Sequence, residues 1–521
     1  MSKDNFFHLA KRFFYGTFAS RILGMVRDIA MAFYFGSSPE IASFMVAYRL
    51  SNLFRRLFGE GTINAGFVPH FEALNHSSNK KSYEFYRDLL FSLVVLLLIL
   101  TAIIELVLAL NIFSSFDSTL LYIMIMLPGL IFICLYALNS AFLNCHRRFF
   151  LPAIAPIFFN IVWIVTIILV QGHSLKKQMT LLSFSIVVAY FSQFLTTHFS
   201  AHKIYYQNIG KEKWHFPNFF SKHVKLMLRP LTYSIIGVGA LQINSAIDAI
   251  YAKIADPSGP AYLWYAIRLQ QLPFALFSVA LSSALLPTLS KALQKGQSDT
   301  FSKNLQKAIS LSFALMLVCT VGIFVIGGYA VNLIYGRGDF TGESISNTYQ
   351  CLVGYSIGLI PQTVVLIIAN CFYAKKKYKV PAFATIATVV INILLNGFFV
   401  FGLKMNAFSV ALATSISACF NAAVLGALLK KNYKIMFFPK SFVKVISIVA
   451  FSSFVTHIFG KYVFDDPSFY ILLENSDYAY PSYFFQQVIQ FFSMSFIFLG
   501  SITGFFLITA FLTKKSFSSL F

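Results

Sequence analysis

The chain has 521 residues, of which 57% are hydrophobic and 12% are charged, whereas about a quarter of the residues in a soluble domain are charged. This composition and the mean hydropathy of +0.71 exclude a soluble globular protein and predict a polytopic membrane protein. The net charge of +22 would suit a nucleic-acid-binding protein, but the positions of the basic residues argue against that partner.

Apolar stretches long enough to cross a bilayer recur along nearly the whole chain. A transmembrane helix needs about 20 mainly apolar residues. The first stretch is long and lacks the cleavage pattern of a signal peptide, so we expect it to remain as a helix. Fourteen segments predict an all-α membrane fold: residues 8–35, 41–69, 89–110, 118–143, 151–171, 180–201, 226–252, 261–290, 305–330, 346–374, 381–402, 406–430, 441–464 and 483–512.

The connections between these segments alternate in charge. Connections after odd-numbered segments are poor in lysine and arginine, apart from Lys176 and Lys177, and residues 465–477 are acidic. Because basic connections stay on the cytoplasmic side, we expect both termini in the cytoplasm and the positive charge against anionic membrane lipids. No nucleic-acid partner is predicted. The basic connections follow even-numbered segments: residues 146–148, 203–229, 291–307, 375–379 and 430–444.

Arginines inside the predicted spans are the main sign of function. Each would cost about 2.5–3.5 kcal/mol at a helix centre, so these side chains must face a water-filled cavity or a partner. Asp28 and Glu60 offset only part of their charge. The planar guanidinium suits a multidentate anion such as a phosphate or diphosphate. Six arginines lie in the first, second and eighth spans: Arg21, Arg27, Arg49, Arg55, Arg56 and Arg268.

Two interpretations of these arginines compete. Helical spacing allows Arg21 and Asp28, seven residues apart, to share one face, and Arg56 and Glu60 likewise. Snorkelling or structural ion pairing is the favoured interpretation for two side chains, Arg49 and Arg56. Anion binding is the favoured interpretation for three others, Arg27, Arg55 and Arg268.

The sequence contains an internal repeat. "AYRLSNLF" (47–54) matches "AIRLQQLPF" (266–274), which aligns Arg49 with Arg268. "AFLNCHRRFFLPA" (141–153) and "NCFYAKKKYKVPA" (370–382) match later in the same order. We therefore expect two parallel six-helix lobes related by a pseudo-two-fold axis, with a substrate site at their interface. The predicted domains are an N-lobe, a C-lobe and a separate pair of helices: residues 1–225, 226–435 and 436–521.

Motifs for catalysis or metal binding are weak or absent in the sequence. The six cysteines are scattered singly, without C-x-x-C spacing, so we assign them to packing. His198 and His202 have the i, i+4 spacing of metal ligands, but they lie beside Lys203 at the cytoplasmic end of a span. An interfacial role is therefore favoured for this pair. No P-loop, HExxH or nucleophile elbow occurs, and an enzyme is not predicted.

Four stretches together carry a resemblance to a known family. They are "SRILGMVRDIAMAFYFG" (20–36), "AYRLSNLFRRLFGEGTINAGFVPHF" (47–71), "WYAIRLQQLPFALFSVALSSALLPTLS" (264–290) and "IYGRGDFT" (334–341). With them, residues 8 to 435 resemble the MurJ (MviN) lipid II flippases of the multidrug/oligosaccharidyl-lipid/polysaccharide exporter superfamily. The first two stretches are specific when they occur together.

The resemblance implies a fourteen-helix transporter of the bacterial inner membrane that serves cell-wall synthesis and cell shape. Its substrate would be lipid II, the undecaprenyl-diphosphate-linked peptidoglycan precursor, moved to the outer leaflet by alternating access. The last two helices would form a groove for the lipid tail, and cell-wall synthesis and division proteins are implied as partners. The residues implied to bind the headgroup are four arginines and two acidic companions: Arg21, Arg27, Arg55, Arg268, Asp28 and Glu60.

The chain departs from the family pattern at several positions. Ala42 and Ile267 stand where acidic residues are common, and Gln271 replaces a glutamate. Ser51 replaces a proline. The loss of three acids makes the predicted cavity more positive than is usual in the family. It argues against proton relay through those positions and leaves headgroup binding by the arginines unaffected.

A sodium site is one hypothesis for energy coupling. Four residues could supply oxygen ligands: Asp248, Asn392, Asn396 and Thr414. Hydrogen bonding between helices is an equally good interpretation of these side chains. The membrane potential is the alternative driving force, at about 2.3 kcal/mol per charge per 100 mV.

Other functions remain open from the sequence alone. An exporter of another polyprenyl-linked glycan has the same fold, and so does a drug exporter, although cationic drugs would favour an acidic cavity. A non-transporting scaffold for a cell-wall complex is a third hypothesis, but it gives no reason for buried charge.

Overall fold

The computed structural model describes residues 3–58, 62–112, 117–209, 217–219, 221–375, 377–430, 441–464 and 483–513. All regular secondary structure in these ranges is helical. The chain forms two compact units, Met1–Ala249 and Ile250–Phe521. Each unit is described by itself below.

The first unit packs its helices around the α7–α8 pair. Trp163 of α7 is fully buried and contacts the rings of Phe44, Tyr48 and Phe159 edge-on. Asp117 caps α5, since its carboxylate accepts a hydrogen bond from the Thr119 amide. The helices are α1 (Lys3–Phe35), α2 (Pro39–Phe58), α3 (Thr62–Ser77), α4 (Asn79–Ile112), α5 (Ser118–Met126), α6 (Gly129–Cys145), α7 (Phe150–Leu169), α8 (Leu175–Ile209) and α9 (Lys222–Ala255), which continues into the second unit.

The second unit repeats this order and adds two helices. A π-helical turn at Phe274–Val279 follows Pro273 and joins α10 to α11, and a second one at Phe398–Gly402 extends α15. The helices are α10 (Gly259–Pro273), α11 (Ala280–Gln294), α12 (Ser298–Tyr335), α13 (Gly342–Ser356), α14 (Leu359–Ala374), α15 (Lys379–Gly397), α16 (Phe408–Lys430), α17 (Ser441–Phe464) and α18 (Phe484–Thr513).

The helix pairings of the first unit recur in the second. In the first unit α2 packs on α5, α3 on α4 and α6, and α8 on α5, α6 and α7. In the second unit α10 packs on α13, α11 on α12 and α14, and α16 on α13, α14 and α15. These matching pairs are the structural counterpart of the sequence repeat. The predicted domain boundaries at residues 225 and 435 stay predictions. The boundary between the two compact units follows Ala249 in the sequence.

Each predicted span coincides with one helix or with two consecutive helices. In the described ranges, ten helical segments are long and apolar enough to cross a membrane, and two of these segments, α10–α11 and α13–α14, each contain two helices. The bent pair α5–α6 would be an eleventh segment. The other three predicted spans fall on α1, α2–α3 and α9, which are not among these ten or in the bent pair. The exact number of fourteen spans therefore stays a prediction. Exposed apolar side chains along α4, such as Leu98, Leu106 and Leu110, fit a surface that faces lipid.

Helices α17 and α18 pack on each other and on α12. Their shared core consists of buried apolar side chains from all three helices: Ala314, Val445, Ile448, Val449, Phe498 and Ile502.

A polar tie fixes the start of α18 to the end of α12. Gln487 Nε2 donates to Asn332 Oδ1 at 3.2 Å and to the Gly336 carbonyl at 3.0 Å. The guanidinium of Arg337 lies 4.3 Å over the Phe484 ring. A Cβ at position 336 would overlap Asn332 Oδ1, so the contact requires glycine there.

Candidate functional site

Arg27 of α1 lies in a buried ion pair with its neighbour Asp28. The two side chains belong to residues that are 6% and 5% exposed. Arg27 Nε and Nη2 both donate to Asp28 Oδ1, at 3.1 and 2.8 Å. Two donors therefore converge on one carboxylate oxygen, whereas the strongest arginine–carboxylate pairs use two parallel bonds to two oxygens.

Helix α7 completes the surroundings of this guanidinium. Arg27 Nη1 donates to Asn160 Oδ1 at 3.1 Å, and the Arg27 Cζ atom lies 4.4 Å over the Trp163 ring. Asn160 is itself oriented, because its Nδ2 donates to the Ser20 carbonyl at 3.2 Å. A cation over tryptophan contributes about 0.5–2 kcal/mol. All three guanidinium nitrogens of Arg27 thus have a hydrogen-bond partner, and the Trp163 ring covers one face of the guanidinium.

Arg21 is exposed on the same helix. Its spacing from Asp28 allows the two to share a face, yet the contacts of Asp28 Oδ1 come from Arg27. The side chains of adjacent residues on a helix point in different directions, but the long Arg27 side chain folds back and reaches the Asp28 carboxylate. The structure thus places Arg21 and Arg27 in different environments, one open and one enclosed.

Arg268 of α10 is the corresponding feature of the second unit. It is half-buried, and its Cζ atom lies 4.4 Å over the Trp264 ring. Trp264 and Tyr265 are buried, so the surface beneath the guanidinium is held by the core. Arg268 lies one turn of helix after Trp264, so its guanidinium rests on an aromatic ring that the core holds in place. Sequence reasoning missed both tryptophans and Asn160; the rarity of tryptophan, three in the chain, was the available signal.

The remaining predicted arginines are less enclosed. Arg49 is half-buried and Arg56 is exposed. The Arg55 side chain and Glu60 lie outside the described residues, so the pairing of Arg56 with Glu60 stays a prediction. Among the positions that depart from the family pattern, Ala42 and Ser51 are buried, Ile267 is half-buried and Gln271 is exposed.

Three of the four predicted sodium ligands form a hydrogen-bonded chain in the second unit. Asn396 Nδ2 donates to Asn392 Oδ1 at 2.9 Å, and Asn392 Nδ2 donates to Thr414 Oγ1 at 3.4 Å. Asp248 lies in the first unit and accepts from Asn244 Nδ2 at 3.1 Å. The hydrogen bond from Asn392 to Thr414 links α15 to α16, as the alternative interpretation expects, and the sodium site stays a prediction.

Comparison with known proteins identifies the family of the chain. The family model described as lipid II flippase MurJ matches residues 31–471. The chain belongs to this family. The "Probable lipid II flippase MurJ" of Chlamydia muridarum (strain MoPn / Nigg) is 31% identical over 76% of this chain and 74% of its own length. The "Lipid II flippase MurJ" of Burkholderia cenocepacia is 28% identical over 80% of this chain and 82% of its own length.

Solved structures give the same assignment for the fold. A MurJ structure, "Lipid II flippase MurJ, inward closed conformation", matches with a TM-score of 0.71 and 25% identity, over 94% of this chain and 99% of that one. A multidrug resistance MATE family transporter of the MOP superfamily matches with a TM-score of 0.62 and 14% identity, over 80% of this chain and 96% of that one. The chain therefore has the fold of MurJ and of its exporter neighbours. MurJ is a family of transporters, not of enzymes.

Proposed function

We propose that this protein flips lipid II from the inner to the outer leaflet of the bacterial inner membrane and so serves peptidoglycan synthesis. The observation that carries this proposal is the MurJ family match over residues 31–471. It favours lipid II over drugs or other polyprenyl-linked glycans as the substrate, and transport over a scaffold role.

The diphosphate of lipid II is the group that we propose the arginines bind. Arg27 is held by one oxygen of Asp28. A diphosphate offers two oxygens to the guanidinium fork and therefore a better geometry than the carboxylate. The headgroup would displace Asp28, and the carboxylate would recapture Arg27 when the headgroup leaves. Asp28 thus limits how tightly the headgroup is held.

We propose Arg268, on the support of Trp264, as a further basic residue that binds the headgroup. Arg21 and Arg55 complete the proposed set of basic residues, with Glu60 as a further acidic companion. Because the headgroup is anionic, an inside-negative membrane potential favours its outward movement, by about 2.3 kcal/mol per charge per 100 mV. We propose this potential as the driving force, and the cell-wall synthesis and division machinery as the partners that use the product.

The test of function is replacement of the resident flippase. Bacteria depleted of their own lipid II flippase are given this protein, and a lipid II-cleaving enzyme is added outside the cytoplasmic membrane. We expect restored growth and cleaved lipid II, because the substrate becomes accessible in the outer leaflet. Intact lipid II in cells that contain normal amounts of the protein would overturn the proposal.

The proposed orientation places both termini in the cytoplasm and can be tested with single cysteines. His173, between α7 and α8, and Lys377, between α14 and α15, are both exposed. We expect a cysteine at position 173 to react with a membrane-impermeant maleimide in intact cells, and one at 377 to react only after lysis. The unmodified protein, with its six cysteines, provides the background. Labelling of position 377 in intact cells would contradict the orientation.

A further inference from the structure

Two histidines that are far apart in the sequence meet inside the first unit. His70 lies on α3, and His223 lies in the first turn of α9. Their ring centroids are 5.5 Å apart, with an angle of 48° between the ring planes. Phe85 of α4 packs edge-on against His70 at 4.9 Å. The pair thus joins the middle of α3 to the beginning of α9.

One nitrogen of each ring is buried and lacks a hydrogen bond from the residues that the structure describes: His70 Nε2 and His223 Nδ1. His146 shows the usual arrangement, since its Nε2 is bonded to the Tyr83 hydroxyl at 2.7 Å and its Nδ1 to the Phe142 carbonyl at 2.8 Å. Leaving a buried polar atom unbonded costs about 1–3 kcal/mol. Two such nitrogens on neighbouring rings can share one ligand.

The ring separation is compatible with a metal ion that bridges the two rings, for nitrogens directed at one atom. A transition-metal ion at about 2.05 Å from each nitrogen lies about 3.2 Å from each ring centroid, so a separation of 5.5 Å gives an N–metal–N angle of about 120°. A water at about 2.8 Å would lie about 3.9 Å from each centroid and give an angle of about 90°, which two hydrogen bonds also allow, so metal titration is needed to separate the two. The metal angle is close to tetrahedral.

We propose that His70 and His223 bind a divalent transition-metal ion of the zinc type, with water in the remaining positions. Within the described ranges no cluster of three His, Cys, Asp or Glu side chains suited to a metal occurs. The ion therefore has two protein ligands and exchanges readily, unlike a closed four-ligand structural zinc site. Neutral imidazole nitrogens are common ligands for zinc, copper, nickel and cobalt.

The ion would add a third tie between the start of α9 and the rest of the first unit. The segment before α9 is already held on α4, where the Asn218 amide donates to Asp88 Oδ1 at 3.2 Å and the Ser92 hydroxyl donates to the Phe219 carbonyl at 2.7 Å. A metal between His70 and His223 fixes α9 to α3 as well. Because α9 continues into the second unit, the ion would stiffen the end of the helix that both units share.

Cobalt titration of the purified full-length protein, with any histidine tag removed, tests this site. Co²⁺ bound to imidazole is visible by its d–d absorbance. We expect saturation at one ion per chain, and at least tenfold weaker binding in His70→Gln and in His223→Gln. In His70→Cys we expect binding to persist, with a new thiolate-to-cobalt band in the near ultraviolet, because the metal then touches a sulfur.

The matched control is the double variant His198→Gln/His202→Gln. These residues have the i, i+4 spacing of metal ligands on α8, and their ring centroids are 5.7 Å apart. Cobalt binding should be unchanged in this variant. Loss of binding here with retention in His70→Gln, or no saturable binding by the unmodified protein, would overturn the proposal. Thermal unfolding without metal verifies that each variant is folded, and His70→Cys gives a positive signal that a misfolded chain does not.

Discussion

Replacing Arg27 or Arg268 by lysine is expected to abolish lipid II flipping although the charge is kept. A lysine ammonium is a point charge and cannot offer the two parallel donors that a diphosphate accepts. Each lost charge-assisted contact costs about 1.5–3 kcal/mol, or about one to two orders of magnitude in affinity. Growth of flippase-depleted bacteria and outer-leaflet lipid II are the measurements, with the amount of protein in the membrane determined by immunoblot.

Arg87 and Asp88 of α4 provide a matched control for this prediction. Arg87 Nε and Nη2 also donate to a single oxygen of the next residue, at 3.2 and 2.9 Å. Arg87→Lys therefore changes the same local geometry outside the proposed headgroup site, and we expect near-normal flipping. Equal loss of flipping in Arg27→Lys and Arg87→Lys would show that the adjacent ion pair matters for structure alone.

Two further variants separate binding from stability at Arg27. Asp28→Asn removes the carboxylate from a buried guanidinium, and breaking a buried pair in this way costs about 3–5 kcal/mol. Arg27→Leu/Asp28→Leu removes both charges, and such replacements are often neutral for stability. We expect the double variant to be the more stable protein and to remain inactive. Flipping by the double variant would exclude Arg27 from headgroup binding.

Removal of α17 and α18, by truncation after Lys440, is expected to abolish flipping of long-chain lipid II while the rest of the protein still folds. The two helices pack on α12 and on each other, and the helix pairs that recur in both units do not include them. The proposed groove for the lipid tail is lost with them. Abundance in the membrane, thermal unfolding and outer-leaflet lipid II measure the outcome.

Gln487→Ala is a milder variant that tests the same helices as the truncation. It removes the hydrogen bonds to Asn332 and Gly336 but keeps both helices. If the position of α18 matters, flipping falls to an intermediate level and the unfolding temperature drops slightly. Full activity of the truncated chain would contradict a role for these helices in transport.

The fold could be predicted from the sequence because the signals are long and local. Apolar stretches predict the positions of the helices, and the match between Arg49 and Arg268 predicts the repeat that the recurring helix pairs show. The number of spans was harder to predict, because α1 carries Arg21, Arg27 and Asp28 within a stretch that otherwise resembles a membrane helix.

The contacts of the site could be predicted only in part. Spacing suggested Arg21 as the partner of Asp28, but the choice of Arg27 depends on a side-chain conformation that spacing does not specify. Asn160 comes 133 residues later, so its contact with Arg27 depends on how α1 packs on α7. The histidines show the same limit: His198 and His202 stand out in the sequence, whereas His70 and His223 meet only in the folded unit.

The tryptophans beneath the guanidinium groups of Arg27 and Arg268 have an optical consequence. The chain has three tryptophans, and two of them, Trp163 and Trp264, lie 4.4 Å from an arginine Cζ atom. The emission energy of an indole ring shifts with the electric field across it, and a guanidinium at this distance is a strong source of field. Movement of Arg27 or Arg268 toward an anion would therefore shift the emission wavelength of the protein's tryptophan fluorescence. Each unit carries a built-in reporter of its arginine, and no added dye is needed to follow it.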